Sequence, residues 1–132
     1  MNAPRIWDKK KKIMYHPDQV CRLHFTKSKL YGVVLWDGST LFNKDFIALK
    51  PTGLPDKNGT KIFEGDICKD YMGYLHKVIW DKKYLSFMFE RADGTLLSGV
   101  GQNAEGFQAE VIGNIYENPE FEFKPLKQKR RK

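Results

Sequence analysis

At 132 residues with a formal charge of +7, the chain is of single-domain size and long enough to bury one hydrophobic core. Its clearest apolar run, Val33-Val34-Leu35-Trp36, falls far short of the roughly 20 residues of a membrane-spanning helix. Residues 1–8 also lack the apolar core of a secretory signal. Cys21 and Cys68 are too few for a disulfide framework, so a cytoplasmic chain with no membrane partner is expected. The charge is unevenly laid out. Residues 9–12 are lysines, and Lys124, Lys127, Lys129, Arg130, Arg131 and Lys132 follow one another with no acid beside them. Without these ten, 13 basic residues face 16 acidic ones, so the basicity is expected in two short runs and not on the folded body.

Aromatic residues make up 14% of the chain, which favours pleated, half-buried surfaces. In chain order, three segments repeat one pattern: Ile6-Trp7-Asp8, Leu35-Trp36-Asp37 and Ile79-Trp80-Asp81. Each reads as a strand ending in a large buried side chain, followed by a turn in which Asp accepts backbone amides. The first and third copies continue Lys-Lys and lead to Ile13-Met14-Tyr15 and Phe87-Met88-Phe89. One hairpin design used twice explains this better than a duplication. Residues 20–25 form the next strand. Asp37-Gly38, Asn58-Gly59 and Asp93-Gly94 then mark tight hairpins, because such pairs supply positive φ angles. They separate strands at 33–36 and 40–42, at 54–56 and 61–63, and at 85–89 and 95–97. Further strands are expected at 66–71, 74–80 and 108–116, with a short helix or irregular turn near 101–106.

The fold class that follows is mainly β, or α+β with little helix. Short strands on short turns point to a small antiparallel sheet that is strongly curled or closed into a barrel. A Glu-Gly-Asp-Ile entry loop followed by consecutive hairpins gives the second half a Src-homology-type reading. One domain is expected over 1–123, with a flexible basic tail over 124–132 that offers no apolar surface to offset its ordering entropy.

Two segments carry a family resemblance. The first is Thr52-Gly53-Leu54, Asp56-Lys57-Asn58-Gly59 and Ile62-Phe63-Glu64-Gly65-Asp66-Ile67. The second is Glu110-Val111-Ile112-Gly113-Asn114-Ile115-Tyr116-Glu117-Asn118-Pro119-Glu120. Together, and with the opening Arg5-Ile6-Trp7-Asp8-Lys9, they resemble the YopX family of small bacteriophage and prophage proteins. The resemblance implies a β-rich fold in the bacterial host cytoplasm, with no cofactor and no catalytic residue to carry over. The basic tail departs from the family pattern. The motif residues Gly53, Asp56, Asn58, Gly59, Glu64, Gly65, Asp66, Gly113, Asn114, Asn118 and Pro119 also have a structural reading. Glycines permit tight turns or close chain approach, carboxylates and amides bond turn amides, and Gly113 suggests a bulge or a crossing chain.

Sharper chemistry finds little support. Cys21, His24, Cys68 and His76 could in principle hold zinc, but their spacing is loose, and on a strand positions 21 and 24 face opposite ways. Glu64, Asp66 and Asp70 lie in or near a turn motif that already accounts for carboxylates, with no nucleophile or base beside them. No Gly-x-Ser-x-Gly elbow and no phosphate-binding Gly-rich loop occurs. Leu85, Phe87 and Phe89 would share a strand face near Lys82, Lys83 and Arg91. Alternation makes that a core face before it makes it a base-stacking surface. A non-enzymatic protein that binds a host or phage macromolecule, with self-association as a further use of its edges, is therefore expected. The alternative is a nucleic-acid-binding module that grips phosphates with the tail, which otherwise serves as a solubilising end.

Overall fold

Hairpins dominate the chain because its turn residues recur at short, regular distances. The computed structural model describes residues 3–27, 29–103, 108–121 and 123. The chain divides into two compact units, 1–50 and 51–132, each with its own strands.

The first unit holds β1 (Arg5–Asp8), β2 (Ile13–Tyr15), β3 (Val20–Thr26), β4 (Lys29–Leu35), β5 (Thr40–Phe42) and β6 (Phe46–Leu49). Two three-stranded antiparallel sheets result, in the orders β2-β1-β6 and β3-β4-β5. Ile6, Val33, Leu35 and Phe46 are buried between them as a core, supported by Leu23, Leu30 and Leu41. The strand at 46–49 is not evident from the sequence. Its four apolar residues do not alternate, and its pairing with β1, Arg5 opposite Leu49 and Asp8 opposite Phe46, is non-local.

The second unit holds β7 (Pro51–Pro55), β8 (Lys61–Phe63), β9 (Asp66–Lys69), β10 (Leu75–Asp81), β11 (Ser86–Glu90), β12 (Leu96–Gly99), the helical turn α1 (Val100–Asn103) and β13 (Glu110–Asn114). The β7-β8 hairpin accompanies a five-stranded antiparallel sheet in the order β12-β11-β10-β9-β13. Ile62, Cys68, Val78, Phe89, Val100 and Ala109 form its core. A mainly β, antiparallel class is what the sequence implied. The barrel is not: none of the four sheets closes on itself, so the Src-homology-type closure expected for the second half is corrected. Among the described residues the edges β12 and β13 pair only with β11 and β9, and the chain leaving β12 turns at once into α1.

The Trp-Asp copies show why residue type alone misplaced some side chains. Trp36 is 70% exposed, and Trp7 and Trp80 are half-buried, whereas Asp8 and Asp81 are buried. In the first copy Ile6 occupies the core row, so its neighbour Trp7 faces the other way. The buried carboxylates close two matching loops. Asp8 Oδ1 accepts the amides of Lys10 and Lys11, each at 3.0 Å, and Asp81 Oδ2 accepts that of Tyr84 at 3.0 Å. Asp8 stands opposite Ile13 and Asp81 opposite Ser86, and the last loop residue has a positive φ in both, 56° at Lys12 and 50° at Leu85. One hairpin design is thus used twice. Leu85 belongs to the loop and is exposed, while Phe87 and Phe89 point to the core.

A second loop recurs four times, at 35–39, 56–60, 70–74 and 91–95. In each the first amide donates to the carbonyl of the fifth residue, and a glycine amide donates back to the first carbonyl. Gly38, Gly59, Gly73 and Gly94 have φ between 84° and 93°, a region side chains rarely adopt. Asp56 and Asp70 each use Oδ1 for two turn amides and Oδ2 for a contact outside the turn. Asp56 Oδ2 accepts the amide of Val111 at 2.9 Å, and Asp70 Oδ2 meets His76 Nε2 at 2.9 Å. The amide of Lys57 also reaches the carbonyl of Ala109, so the β7-β8 turn is fastened to the start of β13.

The late family motif is an interlocked turn. Asn114 Oδ1 accepts the amides of Tyr116 and Glu117, and Asn118 Oδ1 accepts the amide of Asn114. Gly113 lies at a β-bulge, and a Cβ there would meet Asn118 Cγ at 2.8 Å and the Phe121 ring at 3.4 Å. It is space, not backbone angle, that requires glycine.

Three outcomes are expected. Asp56→Ala strands the amides of Asn58, Thr60 and Val111, and urea unfolding should show a loss on the order of 3 kcal/mol. Gly113→Ala displaces the Asn118 side chain and should lose ~1–3 kcal/mol in the same assay. The carboxyl of Asp70 is pushed upward by burial, but hydrogen bonds from His76 and the Tyr74 and Met72 amides outweigh this and hold it below the ordinary range. Its stabilisation is therefore present above the unfolded value of about 4 and lost as pH falls through the lower folded value. Unfolding of the wild type and Asp70→Asn should differ most above that pH and converge in acid.

Candidate functional site

A strand exposes one face when its sheet has one layer to pack against, and β3-β4-β5 is such a sheet. Leu23, Val33 and Leu41 are register partners across its three strands and turn towards the core. By alternation the flanking rows face away: Arg22, Val34 and Thr40 in one, and His24, Gly32 and Phe42 in the next. A bulge between His24 and Phe25 adds Tyr31 to this outer face, where its ring lies 6.1 Å from that of His24. The Thr26-Lys29 pair ends it.

This outer face is aromatic and cationic. Phe42 is 58% exposed and Tyr31 39%, and Phe25, at 59%, stands at the end of the same hairpin. Arg22, Lys27 and Lys29 are exposed, and residues 19–36 include no acid. The unit as a whole has ten Lys and Arg against four Asp, while residues 51–123 have seven against twelve Asp and Glu. The lysines at 9–12 form the β1-β2 loop, so the folded body is itself basic here, contrary to the expectation that basicity lies outside it. Three of the four acids of this unit serve local contacts. Asp8 closes that loop, and Asp45 lies 3.7 Å from the ammonium of Lys10. The hydroxyl and amide of Ser39 hold the Asp37 carboxyl below its usual range.

Gly32 lies at the centre of the sheet and is buried. It sits on the middle strand, between His24 and Phe42, with φ outside the left-handed region. A Cβ there would make only ordinary contacts, 3.6 Å to His24 Cβ and 3.7 Å to the carbonyl oxygen of Leu41. Neither packing nor backbone geometry requires glycine, and Gly32 is itself buried among its neighbours.

The residues singled out from sequence fall elsewhere. Lys124, Lys127, Lys129, Arg130, Arg131 and Lys132 lie outside the described residues. Gly53 lies within β7 and Gly113 at the β13 bulge, while Asp56, Asn58, Gly59, Gly65, Asp66, Asn114, Asn118 and Pro119 lie in turns and at strand ends of the second unit, where Asp66 Oδ2 accepts the amide of Phe63 at 2.8 Å. Glu64 stands close enough to Tyr116 to add to the burial that pushes its phenol up to about 12. Cys21 and His24 are on β3, whereas Cys68 and His76 face each other across β9 and β10. Among the described residues no three His, Cys, Asp or Glu gather into a metal-binding group. Burial, aided by Asp66 and Asp56, pushes the Cys68 thiol far up, which removes it as a nucleophile. No helix among the described residues is long and apolar enough to cross a membrane.

The β3-β5 face was missed because the exposed aromatics were sought on β11. The signal that marks it is an acid-free stretch holding Arg22, Phe25, Lys27, Lys29 and Tyr31, with a glycine inside an apolar strand.

Comparison with known proteins agrees with this architecture. The crystal structure of protein EF1440 from Enterococcus faecalis is similar to this chain, with 25% sequence identity and a TM-score of 0.65, over 92% of this chain and 97% of that one. No curated protein matches the chain. The family described as YopX protein matches residues 4–121, which takes in β1 through the turn at Asn118, and the chain belongs to that family.

Proposed function

We propose that this chain is a non-enzymatic accessory protein of phage type, acting in the bacterial cytoplasm by binding a host or phage macromolecule. The observation that carries this reading is the exposed ring surface of the β3-β4-β5 sheet, with Tyr31, Phe42 and, at its end, Phe25 left open to solvent. Large rings on a rigid sheet are costly to leave in water and supply contact area at small entropic loss, which is why binding surfaces use them.

The fate of the reactive groups supports the absence of catalysis. Asp56, Asp66 and Asp70 accept backbone amides, and the Cys68 thiol is buried and protonated. The Lys77 ammonium is buried in an ion pair with Glu90 at 3.1 Å. A cleft in the second unit is lined by Leu54, Tyr84, Phe87, Met88, Leu97 and neighbouring small residues, and Tyr84 is its one titratable side chain among the described residues. That lining is apolar and lacks the converging acid and base that catalysis needs.

The test is affinity capture from infected cells, with the wild-type chain compared with a Phe25→Ser, Phe42→Ser double variant. Both positions are exposed, so the variant should keep its thermal unfolding midpoint. A macromolecule retained by the wild type and lost by the variant is the expected result, and nuclease or protease treatment of the eluate gives its class. Equal retention by both, or none by either, would remove the sheet surface as the binding site.

A further inference from the structure

We propose that one end of the five-stranded sheet is a docking surface for a partner protein. Tyr71, Met72 and Tyr74 form its centre and seat on an uncharged, apolar patch of that partner. The site lies in the second unit and is additional to the β3-β4-β5 face.

Topology brings three of the four recurring loops to this end. Strands β9 to β12 form an antiparallel meander, so its successive turns alternate between the two ends of the sheet. The turns at 70–74 and 91–95 therefore share one end, and the loop at 82–85 takes the other. Glu110 stands opposite Lys69, so β13 starts at the shared end. The turn at 56–60 is fastened there, through the Lys57 amide on the Ala109 carbonyl and the Val111 amide on Asp56. Five strands at a spacing of ~4.8 Å make the row about 19 Å wide, with 70–74 in its middle.

Folding does not account for the side chains of that middle turn. All four loops share one backbone pattern, and after the first residue three of them read Trp-Asp-Gly-Ser, Lys-Asn-Gly-Thr and Ala-Asp-Gly-Thr. The fourth reads Tyr71-Met72-Gly73-Tyr74 at the same positions. The Asp70 carboxylate and the positive φ of Gly73 set this turn, while Tyr71, Met72 and Tyr74 are each well over half exposed. Two sister turns form without a ring, so these side chains serve something other than the hairpin. On a turn already held by its own hydrogen bonds, they offer contact area at small entropic loss.

The surroundings name the partner's chemistry. Lys57, Asn58 and Thr60 lie to one side of the centre and Ala92, Asp93 and Thr95 to the other, all exposed. A core of Tyr and Met inside a polar rim is the layout of a protein–protein interface. Lys57, Lys61, Lys69 and Arg91 at this end stand against Asp56, Asp70, Asp93 and Glu110, and Lys57 lies 3.7 Å from Glu110. That formal balance gives a phosphate backbone or an anionic lipid surface no net attraction. The cleft of this unit involves Tyr84 and Ser86, near the opposite end, and none of the three central side chains.

The experiment is photo-crosslinking in infected cells that carry the full chain with benzoylphenylalanine in place of Met72. The cross-linked species is identified, purified and titrated calorimetrically with the unsubstituted chain. The expected species is a protein other than this chain, bound with a negative heat-capacity change as apolar surface is covered. The triple variant Tyr71→Ala, Met72→Asn, Tyr74→Thr takes its residue types from the sister turns. It should keep its unfolding midpoint and bind about tenfold or more weakly. Cross-linking to a second copy, to nucleic acid or to nothing overturns the proposal, as does wild-type affinity in the triple variant. A partner lost by Phe25→Ser, Phe42→Ser and kept by the triple variant also overturns it, and leaves the β3-β4-β5 reading standing.

Discussion

The second unit depends on the carboxylate of Asp56. One oxygen gathers the amides of Asn58 and Thr60 and sets the β7-β8 turn, and the other takes the amide of Val111, 55 residues along the chain. Val111 adjoins the β13 bulge, where the ladder to β9 loses its regular pairing. A backbone donor left unpaired there would lose stability comparable to a missing hydrogen bond, so the irregularity persists because a turn carboxylate supplies the acceptor. Local and long-range order thus share one side chain. Asp70 repeats the arrangement with His76 in place of a distant amide.

Turns of this type explain how a chain with short strands stays specified. Four loops share one backbone pattern, two with Asp at the first position and two with Asp at the third. Each fixes the register of its hairpin, and a slip of one residue would turn every core side chain to the opposite face. The buried ion pair of Lys77 and Glu90, cross-strand partners on β10 and β11, adds to that constraint, since a shifted register would bury one charge without the other.

Much of this was legible because turns are local. Asn58-Gly59 and Asp93-Gly94 announce their hairpins through backbone angles that few other residues adopt, and Gly113 announces a crowded site. The strand at Phe46–Leu49 was not legible, because its reason to exist is β1, some 40 residues earlier. Open sheets in place of a barrel were equally hidden, since closure depends on whether two edges meet. Trp36 misled for a related reason. Its type argues for burial, but it begins the β4-β5 turn, where the loop geometry turns it to solvent.

The basic character of the first unit was hidden by averaging over the whole chain. Setting aside the two lysine- and arginine-rich runs left a slightly acidic remainder, which argued against nucleic acid. That remainder joins a basic first unit to an acidic second one, and the sum conceals both. Within the first unit, Asp8 is buried in its own loop and Asp45 lies beside Lys10, while Asp18 and Asp37 are exposed and flank the stretch that holds Arg22, Lys27 and Lys29. Potential at a surface is set by charges within about a Debye length, roughly 8–10 Å, and not by the total. On that scale the charged side chains of β3, β4 and the turn between them are Arg22, Lys27 and Lys29, all of them cationic.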